Sequence, residues 1–120
     1  MAYFSGCNYH KLTGGAFPDV NLSICVSEDS SNVNCSLTIS PPVAGVDFRY
    51  DWKMELQRLG YNEGWNTIGT RTGYVSNTSP SNRTFTNVGR TGDAMQVKVS
   101  FYDVSTGRLI GIRNSQTWFR

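Results

Sequence analysis

The sequence predicts an all-β chain: an antiparallel two-sheet sandwich of about seven strands. Three observations predict it. Apolar residues recur at every second position over several stretches, the period of a strand with one buried face. Clusters of Gly, Pro, Asn, Asp and Ser separate those stretches, as turns require. No segment carries the 3.6-residue spacing of an amphipathic helix, so one-faced strands must bury against one another.

The elements follow in order. Val20, Leu22, Ile24 and Val26 share one face of a first strand, and Asn21, Ser23 and Cys25 share the other. Residues 27–32, Ser-Glu-Asp-Ser-Ser-Asn, read as a turn. Val33, Cys35, Leu37 and Ile39 form the apolar face of a second strand. Pro41-Pro42 ends it, because proline donates nothing to a ladder. The clearest element is next: Val46, Phe48, Tyr50, Trp52, Met54 and Leu56 alternate without a break with Asp47, Arg49, Asp51, Lys53 and Glu55. Residues 60–64 turn the chain into a weaker, Thr- and Gly-rich strand from Trp65 to Val75. A polar loop over 76–82 precedes a short strand over 83–88, and Gly89 to Asp93 turns again. Met95, Val97, Val99 and Phe101 alternate with Gln96, Lys98, Ser100 and Tyr102. A hairpin loop over 103–107, with Gly107 suited to a left-handed position, leads to a last strand over 109–120. Residues 1–17 are expected to form an N-terminal arm and 18–120 the sandwich domain.

This strand order, with Trp52 on the third strand, resembles immunoglobulin-like and fibronectin type III-like sandwiches, where a core aromatic sits on strand C. The resemblance covers roughly residues 18–119. It implies an immunoglobulin-like topology, with a jelly roll or another Greek-key sandwich as the alternative. It implies no function, since sandwiches host many. The inter-sheet disulfide of antibody domains is missing, because no Cys lies on the 95–102 strand.

Composition excludes some function classes. Net charge is only +2, which argues against nucleic acid as a partner. The cations are unevenly placed: residues 1–60 hold four Lys/Arg against six Asp/Glu, and 61–120 hold seven against three. No apolar run approaches the roughly 20 residues of a membrane span. Residues 1–6 show no basic segment followed by an apolar stretch, so no signal peptide is expected there.

Three cysteines permit at most one internal disulfide. Cys35 shares the core face with Leu37 and Ile39, whereas Cys25 faces away from Ile24 and Val26. A Cys25–Cys35 bond would therefore need a bulge or a shifted register. Cys7–Cys25, with Cys35 as a buried thiol, is the preferred pairing. A zinc site built from Cys7, His10, Cys25 and Cys35 lacks the paired short loops of ordinary zinc modules. No metal and no cofactor is expected.

His10 is the only histidine, so any Ser–His or Cys–His mechanism must use it. It reads as an exposed structural residue on the arm. Asp47, Asp51 and Glu55 share a face, but residues four apart on a strand are separated by about 13 Å. Glycosidase pairs stand roughly 5–9.5 Å apart, so a solvated ladder with Arg49 and Lys53 is the better account. No phosphate-loop or dinucleotide motif occurs. The expectation is therefore a non-enzyme.

Binding residues are expected on 61–75, where Tyr61, Trp65, Arg71 and Tyr74 stand among Asn and Thr, and on the 76–93 region, through Arg83 and Arg90. The expected protein is a secreted or surface-displayed module that recognises a carbohydrate or protein ligand. A virion decoration or fibre domain and a small inhibitor or toxin-like effector are the alternatives. Asn21, Asn34, Asn77 and Asn82 stand in Asn-x-Ser/Thr sequons, relevant only in a eukaryotic secretory pathway. Trp118-Phe119 either closes the core or offers an apolar patch for self-association.

Overall fold

The computed structural model describes residues 3–12, 20–40, 48–61 and 64–120. Nine strands are described: β1 (Ser5–Leu12), β2 (Val20–Glu28), β3 (Val33–Ser40), β4 (Arg49–Gly60), β5 (Gly64–Ser76), β6 (Ser81–Phe85), β7 (Ala94–Asp103), β8 (Leu109–Asn114) and β9 (Trp118–Phe119). One sheet has the order β1-β2-β3-β6, and the other has β5-β4-β7-β8 with β9 on β7. Every strand pairing is antiparallel. The two sheets pack face to face, as the sequence predicts.

The alternating apolar sets become the core. Val20 to Val26 on β2 and Val33 to Ile39 on β3 bury every second side chain. They face Tyr50, Trp52, Met54 and Leu56 of β4 and Met95, Val97, Val99 and Phe101 of β7. Phe48 is also buried, while Val46, Asp47 and Pro41-Pro42 lie outside the described residues. Gly107 is left-handed, φ 71°, as its hairpin requires.

Several segments differ from the sequence expectation, and the short strand read over 83–88 lies at Ser81–Phe85, starting within the expected loop and ending where the chain turns to Asn87 with its left-handed backbone. Ser5–Leu12, expected within an arm, is an edge strand paired residue for residue with β2. Its inner face carries the polar Asn8 and His10, which bond across to the opposite sheet instead of packing, so no apolar alternation announces it. The last strand is split, because Ser115 leaves the ladder. Its Oγ accepts the Val97 N–H at 2.8 Å, and its own N–H donates to the Val97 carbonyl at 2.9 Å. β4 and β5 run further than expected, to Gly60 and from Gly64, with a bulge at Ile68 between the Leu56–Gly69 and Gln57–Thr67 pairs.

Cys7 and Cys25 are direct cross-strand partners with Cα atoms 4.0 Å apart, and they form the disulfide on the outer face of β1 and β2. Cys35 is a buried free thiol, its pKa pushed up to about 12 by desolvation.

The two open edges of the sandwich are closed differently. Along β1 and β8, His10 Nε2 donates to the Asn114 carbonyl at 2.8 Å, Arg113 donates to the Lys11 carbonyl, and Gln116 to the Cys7 carbonyl. Along β5 and β6, guanidinium groups lie over rings: Arg71 over Phe85 at 4.9 Å and Arg83 over Trp52 at 5.2 Å. Two glycines make room for them. A Cβ at Gly69 would stand 2.9 Å from Phe85 Cδ1, and one at Gly73 would stand 2.7 Å from both Arg83 Nη2 and Trp52 Cζ2. The Trp52 indole donates to Ser81 Oγ at 3.0 Å, and Ser81 Oγ donates to the Tyr74 carbonyl. The indole N–H is thereby satisfied inside the core.

Candidate ligand-binding end

One end of the sandwich gathers the β4–β5 hairpin apex, the loop over 86–93 and the turn between β2 and β3. The apex stands beyond its sheet. Pairing of β4 with β7 stops at Arg58–Met95, whereas pairing with β5 continues through Leu59–Trp65 to Gly60–Gly64. Leu59 and Trp65 are therefore opposed neighbours on the outer face, with exposures of 41% and 37%, and Tyr61 at the tip is 92% exposed. Rings this exposed are not core closure; they are available to a partner.

The rest of this end is held stiffly. Asp29 Oδ1 accepts the N–H groups of Ser31 and Asn32, which shapes the β2–β3 turn. Asn87 takes a left-handed backbone, φ 55°, a conformation Asn tolerates. The Val88 N–H donates to the Ser31 carbonyl at 2.7 Å, fastening the loop to the turn.

Behind them lies a buried ionic knot. The Arg120 side chain is 0% exposed and pairs with Glu28, 2% exposed, at 2.8 Å. Its remaining donors reach the carbonyls of Asp29, Ser30 and Val88. Glu28 also accepts from the Phe4 N–H and from Trp118 Nε1. The Trp118 ring stacks on Phe4 at 5.5 Å, so Trp118 closes the core while Phe119 is exposed. Burial alone would raise the Glu28 pKa. The Phe4 N–H, the Arg120 hydrogen bond and the charges of Arg90 and Arg120 outweigh it and hold the carboxyl below its ordinary 4.5.

A depressed carboxylate stabilises the fold above its unfolded pKa, and the contribution is lost as pH falls through the folded value. Stability is therefore expected to decline with acid below about pH 4.5. Glu28→Gln should flatten that limb in urea midpoints taken from pH 7 to pH 3; an unchanged limb would place the acid sensitivity elsewhere.

The residues expected to bind do not form one patch. Tyr61 and Trp65 meet at the apex. Tyr74 shares their face but stands nine positions away, roughly 30 Å by strand rise, under the Arg49 guanidinium at 4.1 Å. Arg71 and Arg83 face inward at the β5–β6 edge and lie over core rings. Arg90 belongs to the knot: its guanidinium is 3.8 Å from Glu28, bonds the Asp29 carbonyl and lies over Tyr3. The sequence reading misses Leu59 and Arg58. Past Leu56 the pattern inverts, with polar Arg58 inward and apolar Leu59 outward, so the apolar alternation stops in the sequence while the strand continues.

A cleft of about 310 Å³ separates β5 from the loop, lined by Leu56, Ile68, Phe85 and Val88 with Arg58 and Arg71. A wider depression of about 430 Å³ lies on the outer face of the other sheet beside Tyr9, Lys11, Ser23 and Thr38.

His10 is half-buried and spent on a main-chain carbonyl. On the outer face of β4, Glu55 accepts from Thr67, which also accepts from Gln57, and Gln57 accepts from Gln96. Among the described residues, no group of three His, Cys, Asp or Glu side chains is placed to hold a metal, and no helix is long and apolar enough to cross a membrane. Comparisons with protein-family models, with curated proteins and with solved structures found no match to this chain.

Proposed function

We propose that this protein is a non-catalytic binding module, secreted or surface-displayed, that takes a carbohydrate or protein ligand on the β4–β5 apex. The observation that carries this reading is the apex itself: a hairpin running past its sheet neighbour and showing Leu59, Tyr61 and Trp65 to solvent above a stiff base. Rigid aromatic anchors on a rigid scaffold contribute most of the energy in many interfaces. An immunoglobulin-like arrangement is part of the proposal as a matter of fold, and it carries no function by itself. Taking β4, β7 and β8 as strands C, F and G, with β5 as C′, and β2, β3 and β6 as A, B and E, the adjacencies agree with that fold. The Cys7–Cys25 disulfide supports an oxidising, extracellular setting.

The test is a glycan array and a protein pull-down with oxidised protein, repeated with Tyr61→Ala/Trp65→Ala. Binding is expected to fall at least tenfold in the double variant, with a melting temperature within a few degrees of the parent, since exposed side chains contribute little to stability. A ligand bound equally well by the variant would remove the apex from the proposal, and no ligand in either screen would remove the module reading.

A further inference from the structure

The β5 edge supports a second site, separate from the apex. We propose that Gly69–Val75 receives an extended acidic polypeptide segment as an added strand, with Arg71 and Arg83 pairing its carboxylates.

β5 is 13 residues long and has one strand neighbour, β4; over 69–75 its other side is closed by side chains and not by a strand, with Ser81 Oγ on the Tyr74 carbonyl and Arg71 Nη1 on the Thr70 carbonyl. An unpaired edge is a template for another strand, and proteins usually blunt it with Lys, Pro, inward charges or a covering segment. Residues 69–75 are Gly-Thr-Arg-Thr-Gly-Tyr-Val, without Lys, Pro, Asp or Glu. Their one charge, Arg71, is turned inward onto Phe85; it blunts the edge against a neutral or basic strand, and an incoming carboxylate would turn it into a partner. The bulge lies at Ile68, so 69–75 pairs with β4 in unbroken register. The opposite edge of this sheet, β8, is covered by the bonds from β1.

Charge decides the kind of segment. Arg83 crosses from the other sheet, and its Nη2 lies 2.7 Å from where a Gly73 Cβ would stand. Guanidinium groups therefore occupy the inner face at positions 71 and 73. Those positions are about 6.8 Å apart, the distance between side chains i and i+2 of any strand laid alongside. Among the described residues, neither group has a carboxylate within 4.0 Å; the ion pairs there join Glu28 to Arg90 and Arg120. An added strand with Glu or Asp two residues apart on its inward side would meet both cations, and guanidinium–carboxylate pairing favours that geometry. A second copy fits poorly, because 69–75 carries no acid and self-pairing brings the Arg71 groups together.

The probe is the peptide acetyl-Thr-Val-Glu-Val-Glu-Val-Thr-amide, compared with its Gln-for-Glu counterpart by calorimetry and amide exchange on the parent protein. The expected result is saturable binding by the Glu peptide, at least tenfold tighter than by the Gln peptide, weakening with salt and protecting amides in 69–75. Arg71→Gln and Arg83→Gln should each shrink the Glu-over-Gln preference. The parent comparison decides the case even if either variant fails to fold. Equal binding of the two peptides, no binding at millimolar concentration, or protection at the apex instead would overturn the proposal. So would self-association that protects 69–75 without peptide. Tighter binding of a sulfated oligosaccharide that leaves the β5 amides unprotected would also overturn it, by showing an anion site with no added strand. Loss of apex binding in Tyr61→Ala/Trp65→Ala leaves this outcome unaffected, so the two sites fail separately.

Discussion

Replacing Arg120 with methionine is expected to lower the unfolding free energy by about 3–5 kcal/mol. Methionine keeps much of the length and apolar volume but removes every donor. The Glu28 carboxylate then keeps only the partly exposed Arg90, 3.8 Å away, in place of its buried cation, and the carbonyls of Asp29, Ser30 and Val88 lose their Arg120 donors. Breaking a buried pair from one side costs far more than the pair contributes, because the surviving charge is stranded. Urea unfolding should show a lower midpoint with an unchanged slope. The second change Glu28→Leu should recover only part of the loss, since Phe4 N–H and Trp118 Nε1 also rely on that carboxylate. A loss under about 1 kcal/mol, the range of exposed ion pairs, would show that Arg120 is solvated in solution.

Replacing both Cys7 and Cys25 with serine is expected to cost about 3 kcal/mol. The bond closes a loop with a sequence separation of 18, and its loss restores that freedom to the unfolded chain. The native state should suffer locally as well. β1 carries polar side chains inward, so amide protection over 5–12 should fall first in the variant. Cys35 supplies an internal check. Burial and the raised pKa keep its thiol inert in the folded protein. Without reductant, the parent should show no reactive thiol when native and one per chain when denatured. Two further thiols on denaturation would mean the bond is not formed.

Much of the fold was legible because each central strand buries one face completely. Trp52, Met54, Val97 and Val99 announce their direction through charged or polar neighbours on the other side. The parts that were not legible share a cause: their stabilising contacts are polar. β1 is fastened by His10, Asn8 and main-chain carbonyls, and Arg120 is a cation inside the protein, neither of which a search for apolar alternation detects. The site was legible only as composition. The sequence reading takes Tyr61, Trp65, Arg71 and Tyr74 together as one stretch over 61–75 and Arg83 and Arg90 as a second over 76–93; the structure puts Tyr61 and Trp65 at the apex and the arginines elsewhere. Strand direction separates Arg71, and the knot at Glu28 claims Arg90.

The bulge at Ile68 bears on how this protein can change over generations. It is the extra residue between two regular stretches of β4–β5 pairing, and two rungs further on, past Arg58, the hairpin no longer pairs with β7. Adding or removing residues in pairs at the tip lengthens or shortens the projection by one cross-strand couple and leaves every core side chain on its own face. The apex can therefore change with little penalty to the fold. Variation among descendants of this sequence should concentrate between Gly60 and Gly64 and stay low on the inward positions of β4 and β7.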